Sequence, residues 1–198
     1  MIKILNSILA TEICTISERN DKLTIFASDS TYPEDYVEVD YSKNQIVVTE
    51  IHRCDEKTII ETKDYKRACF IAGVLVLRLF LSSERDELVE QLRSLVKDNL
   101  FEDAHRLLMN HFSSIDYEIG EESYDKISLI QTGDFADVKY HSEYLAQGAG
   151  LPRAYAVLYN YCKKKKFIET WCLEKTSLVG TFVDINELVE LYMLGYIK

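Results

Sequence analysis

Ala68-Cys69-Phe70-Ile71-Ala72-Gly73-Val74-Leu75-Val76-Leu77-Arg78-Leu79-Phe80-Leu81 is the stretch on which the fold turns. Only Arg78 interrupts its apolar character, and a helix apolar on every face is normally a buried one. At about 1.5 Å rise per residue it spans about 21 Å, short of the ~30 Å core of a bilayer. A core helix over about residues 65–81 is therefore expected, and no membrane span. Gly73 inside it costs about 1 kcal/mol relative to Ala, so a close helix–strand contact is expected there.

Upstream, the chain supplies what such a helix needs to cover. Ile4, Leu5, Ile8 and Leu9 give residues 2–11 the spacing of a short amphipathic helix. Strand signals follow at residues 13–17 and 23–27, flanking the polar turn Glu18-Arg19-Asn20-Asp21-Lys22. A loop over 28–35 contains Pro33, which biases Tyr32 towards an extended conformation. Val37, Val39 and Tyr41 alternate with Tyr36, Glu38 and Asp40. Further strands are expected at 45–52 and 58–62, after turns at Ser42-Lys43-Asn44 and Cys54-Asp55-Glu56. Connections this short permit only antiparallel neighbours, so a five-strand meander with one dry face is expected, packed by the 68–81 helix.

Downstream, Ser83 with Asp86 and then Asn99 with Glu102 look like helix N-terminal caps. They open an αα-hairpin with Leu88, Leu92, Leu95 and Val96 inward on one helix and Leu100, Ala104, Leu107, Leu108 and His111 sharing a face on the other. Residues 115–119 and 127–131 resemble strands around an acidic turn, and 137–147 reads as a weak helix ending at Gly148. Pro152 suits the first turn of a helix carrying Tyr155, Leu158, Tyr159 and Cys162. Lys163–Lys166 would close that helix, residues 167–173 would form a strand, and Asp184 with Glu187 would cap a last helix. The order is an α+β pattern: one domain over residues 1–198, with possible sub-lobes at 1–82 and 83–198 and a mixed helical C-terminal part.

The 198 residues hold 23 basic and 33 acidic side chains, a net charge of -10. That balance argues against non-specific binding to nucleic acid or anionic membrane and suits a basic protein partner. Five cysteines, Cys14, Cys54, Cys69, Cys162 and Cys172, include no C-x-x-C pair, as expected of reduced and mostly buried thiols. The first twelve residues offer too short an apolar core for a secretion signal, so a cytoplasmic location is expected.

No constellation carries recognisable catalytic chemistry. His52 and Cys54 would share a side of an extended strand, but zinc needs three or four ligands, and His105 and His111 do not share a helix face. Gly148-Ala149-Gly150 lacks a preceding strand and reads as an interhelix connection, not a phosphate loop. The carboxylate pairs Glu61/Asp64 and Asp134/Asp137 read as capping and turn residues. No metal, no cofactor and no enzymatic activity are expected.

Two clusters combine carboxylates with tyrosine, a residue favoured in interfaces, while acidic groups steer basic partners. One is Glu34, Asp35, Tyr36, Glu38 and Asp40, beside Tyr32; the other is Tyr117, Glu121, Glu122 and Tyr124, with Glu118 and Asp125. Across residues 13–81, the hairpin at Glu18–Lys22, the segments Lys22-Leu23-Thr24-Ile25-Phe26 and Gln45-Ile46-Val47-Val48-Thr49, and the buried helix resemble the small immunity proteins of bacterial polymorphic-toxin systems. The resemblance implies a non-enzymatic cytoplasmic protein, monomeric or weakly dimeric, that binds a cognate toxin with a basic surface and occludes its active site. The alternatives are a dimeric secretion chaperone for an effector segment and, further off, a small hydrolase.

Overall fold

The computed structural model describes residues 1–10, 12–30, 33–81 and 86–197. The chain forms two compact units, Met1–Ser83 with Ile168–Lys198, and Glu84–Phe167. The first unit contains α1 (Ile2–Ile8), a sheet of β1 (Cys14–Arg19), β2 (Lys22–Ala27), β3 (Asp35–Asp40), β4 (Ile46–His52) and β5 (Asp55–Thr62), and α2 (Tyr65–Phe80). The sheet is antiparallel in the order β1-β2-β3-β4-β5, the expected meander. Leu23, Ile25, Val37, Val39 and Val48 are fully buried, as are residues 68–72 and 74–76 of α2. Asp64 starts α2, its side chain accepting hydrogen bonds from the Lys66 and Arg67 amides.

Two turns are tighter than the sequence suggests. The first hairpin closes on Asn20-Asp21 alone, at φ 52° and 59°. The β4–β5 turn is Arg53-Cys54, at φ 47° and 74°, and not 54–56. Both have the pair of positive φ values that a two-residue turn needs to match strand twist. They also remove the simple alternation that would put His52 and Cys54 on one side of a strand.

Gly73 does meet a close neighbour, but not a strand. A Cβ there would lie 3.1 Å from Trp171 and 3.2 Å from the Ile8 methyl, so the contact is helix on helix. Phe70 and Trp171 meet edge to face at 5.9 Å between ring centres.

The second unit opens with α3 (Glu87–Lys97) and α4 (Phe101–His111), the expected hairpin of helices. The cap expected at Ser83 lies outside the described residues; α3 is capped by Asp86, which accepts from the Leu88 amide. Val89, Leu92 and Val96 are its buried residues, while Leu88 and Leu95 stay half-buried. Asn99 does not cap α4. At φ 59° it ends α3, its amide reaching the Val96 carbonyl while the Leu100 amide reaches Leu95, the paired bonds of a Schellman ending.

A second sheet follows in the order β6 (Tyr117–Ile119), β7 (Ile127–Thr132), β8 (Phe135–Tyr140) and β9 (Glu143–Gly150). β6 and β7 are parallel although few residues join them. The return is feasible because three paired residues span only about 10 Å, well within the reach of a short loop.

The expected helix over 137–147 is a β-hairpin instead. Ala136, Val138 and Tyr140 are buried and Asp137 and Lys139 are not, the period of two of a half-buried strand. His141-Ser142 forms its turn at φ 49° and 66°. Gly148-Ala149-Gly150 ends β9 and so is not an interhelix connection; Gly148, at φ 56°, donates its amide to Asp137 Oδ1 at 2.7 Å.

Residues 167–173 are likewise not a strand. They continue α5 (Leu151–Val179), a 29-residue helix. The buried positions Tyr155, Leu158, Cys162, Lys165, Ile168 and Cys172 recur every three or four residues, as a helix requires. Lys163–Lys166 is therefore helix interior, and Lys165 is only 9% exposed. Residues 151–167 of α5 belong to the second unit and 168–179 to the first. Asp184 caps α6 (Ile185–Leu194) through the Asn186 and Glu187 amides, as expected. No described helix is long and apolar enough to cross a membrane.

Candidate interaction surfaces

Charge is unevenly distributed along the chain. Residues 12–62, the first sheet, carry twelve carboxylates and five basic side chains; residues 116–150, the second, carry eight and two. Residues 151–179 of α5 reverse the balance with two and six.

In the first sheet the charged groups on and beside β3 are engaged within the protein. Lys22 lies 2.8 Å from Glu38 and 3.2 Å from Asp40 on neighbouring strands. Asp40 also accepts from the Ser42 amide and hydroxyl at 3.0 and 2.6 Å. The Ser42 bonds, helped by Lys22, hold its pKa down at about 2. Asp35 meets His52 Nδ1 at 2.6 Å, and Glu34 lies 3.7 Å from Arg53. Tyr36 is half-buried opposite Phe26 and Ile51. Tyr41 donates to Glu18, which pushes the phenol up to about 12. β3 puts Tyr36, Glu38 and Asp40 on one face and Asp35 on the other, with Glu34 just before the strand. The five therefore do not share one surface, and the four carboxylates each have a partner within the protein. Tyr32 lies outside the described residues.

The second sheet is arranged differently. Its loop between β6 and β7 is pinned at several points. The Gly120 amide donates to the Leu129 carbonyl, and the Ile127 amide to the Asp116 carbonyl. Ser128, wholly buried on β7, accepts from the Ser123 amide at 2.8 Å and donates to the Ser123 carbonyl at 3.2 Å. Lys126 meets Glu118 at 2.7 Å and Lys139 meets Glu122 at 2.7 Å. Lys139 holds the Glu122 carboxyl below its usual range. Both lysines of the sheet are thereby committed, while Glu121 and Asp125 are exposed on the loop.

Tyr124 is the apex of that loop and is 58% exposed. One face of its ring stacks on His141, 4.6 Å between centres and 5° from parallel. His141 stacks in turn on Tyr140 at 4.1 Å, and Tyr140 is 3% exposed. The three rings make a column from the interior of the second unit to solvent. Beside it, Lys139 lies 4.8 Å over the ring of Tyr144, itself 50% exposed. Tyr117 lies on β6 and is half-buried, and burial raises its pKa.

Glu121, Glu122 and Tyr124 thus lie together on the β6–β7 loop, at the end of the sheet where β7 begins and β8 ends, while Tyr117 on β6 has Cys162, Asp116 and Glu118 around it. His141 and Tyr144 flank that loop at the β8–β9 turn, with Ser128 buried beneath it, and nothing in the sequence distinguishes these three. The only available signal was the alternation of 135–140, which would have placed a hairpin turn at His141.

A groove of about 400 Å³ between α3 and α4 is lined by Leu88, Gln91, Leu95, Asp103, Arg106, Leu107, Asn110 and His111. His105 bonds Tyr155 at 2.9 Å, and burial pushes the Tyr155 phenol up to about 12. Asp64 is a cap, and Asp137 holds the Gly148 amide. Among the described residues no three His, Cys, Asp or Glu side chains could share a metal ion. Comparison with protein-family models, with curated proteins and with solved structures gives no match to this chain.

Proposed function

We propose that this chain is a non-enzymatic binding protein that neutralises a cognate toxin domain by covering its active site, and that the β6–β7 loop with the adjoining β8–β9 turn is the face it uses. The observation that carries this reading is the pairing of excess negative charge with stacked aromatic rings at that end of the sheet. Interface energy concentrates in rigid aromatic anchors, whose few rotatable bonds leave little entropy to lose. Four carboxylates there, Glu118, Glu121, Glu122 and Asp125, against two already paired lysines add attraction towards a basic cleft. Toxins acting on nucleic acids present such clefts, and an acidic plug complements them.

The test is co-purification of the tagged chain with the product of the neighbouring reading frame, at low and high salt. A stoichiometric, salt-weakened complex that suppresses the neighbour's toxicity is expected. Glu121→Lys with Asp125→Lys should weaken it at least tenfold without loss of fold. No complex, with the neighbour harmless alone, would overturn the reading.

The α3–α4 groove favours a second reading, a secretion chaperone, because its Leu88, Leu95 and Leu107 could hold an apolar effector segment. That reading requires a stable homodimer and binding to an unfolded segment, so sedimentation of the free chain separates the two.

A further inference from the structure

We propose that the solvent-facing ring of Tyr124 is a receptor for an arginine side chain of the partner, with Glu121 and Asp125 as its counter-charges. This inference rests on the binding reading above and gives it a recognition chemistry. Tyr124 is stacked on His141 and is still 58% exposed, so the stacked ring remains open to a ligand. A stacked ring held from below cannot turn away, so the open face is presented without ordering cost when a ligand arrives.

The cation preference is written into the neighbouring side chains. Lys139 lies between the Tyr144 ring at 4.8 Å and the Glu122 carboxylate at 2.7 Å. One strand away, the surface thus already holds a cation between a phenol face and a carboxylate. Tyr124, Glu121 and Asp125 offer the same kinds of group, all exposed on one loop, while the nearby Lys126 is engaged with Glu118. Arginine fits better than lysine because a planar guanidinium can lie flat on the ring while its edge N–H groups fork to carboxylates. An anionic or apolar side chain would gain nothing from the two carboxylates.

The experiment uses the full chain and two short probes, Gly-Arg-Gly-Arg-Gly and Gly-Lys-Gly-Lys-Gly, followed by NMR in 150 mM salt. The arginine peptide is expected to shift the ring signals of Tyr124 and His141 and to bind several-fold tighter than the lysine peptide. Tyr124→Phe, which keeps the ring, should bind like the parent. Tyr124→Leu, with the backbone spectrum unchanged elsewhere, should lose about two- to fivefold. Glu121→Gln with Asp125→Asn should lose a similar factor. Equal binding of both peptides, or no loss in Tyr124→Leu, would overturn the proposal. Because the probes are independent of any toxin, this result stands apart from the co-purification: arginine binding without a neighbour complex would sink the neutralisation reading alone.

Discussion

A single hydrogen atom decides the packing at Gly73. A Cβ there would press on Trp171 and Ile8 at 3.1 and 3.2 Å, tighter than ordinary van der Waals contact. Gly73→Ala gains about 1 kcal/mol in helix propensity, while overpacking costs about 1–3 kcal/mol. The expected net effect is a loss of about 1 kcal/mol in denaturant unfolding. Adding Ile8→Val, which removes the crowding methyl, should recover part of it; no recovery would place the strain at Trp171 alone. Asp40 shows how a charge legible in sequence can be spent in structure. Its carboxyl is held near pKa 2, so the stability it contributes is present above the ordinary value of 3.8 and lost as pH falls towards 2. Asp40→Asn should cost about 1 kcal/mol at pH 7 and much less at pH 2.5, read from urea midpoints. Capping carboxylates at Asp64 and Asp184 were legible because their role is local. The pairing of Glu38 with Lys22 was not, since it depends on strand register.

At the scale of elements, the strongly periodic segments of the first unit matched expectation, and the two misreadings have different causes. Lys165 occupies an inward position of α5, so a polar residue fell where the apolar stripe should continue and the helix seemed to stop. Residues 137–147 misled in the opposite way, because their turn is the unassuming His141-Ser142 instead of an Asn-Gly pair. Such turns hold L-residues in a left-handed conformation that costs about 1–2 kcal/mol each. Arg53→Asn with Cys54→Gly should therefore stabilise the β4–β5 hairpin by about 1 kcal/mol, a net figure after losing the exposed Arg53–Glu34 pair. A melting temperature that fails to rise would mean that this pair, or the Cys54 side chain, matters more than the turn. The candidate surface was half legible for the same reason. Its loop residues Glu121, Glu122 and Tyr124 could be named, whereas the ring beneath Tyr124 belongs to a hairpin concealed by weak turn chemistry.

For the molecule as a whole, four of the five cysteines are buried and none is bridged. Burial pushes the Cys69 thiol up to about 11 and those of Cys162 and Cys172 up to about 12. The unfolded chain releases these protons from about pH 8.5, so above that it binds fewer protons than the folded one and stability falls as pH rises. Melting temperature should drop between pH 8.5 and 10.5, and Cys69→Ala with Cys162→Ala and Cys172→Ala should flatten the slope while lowering the baseline. Parallel slopes would shift the cause to the buried tyrosines. The first unit is made from both ends of the chain, with Trp171 of α5 packed against Phe70 and Gly73 of α2. During translation at about 5–20 residues per second, the most apolar helix of the protein leaves the ribosome roughly 5–20 s before the tryptophan that covers it. The nascent chain must carry the Trp171-facing side of that helix uncovered through the synthesis of the entire second unit, which makes that side of α2 the natural foothold for a ribosome-associated chaperone.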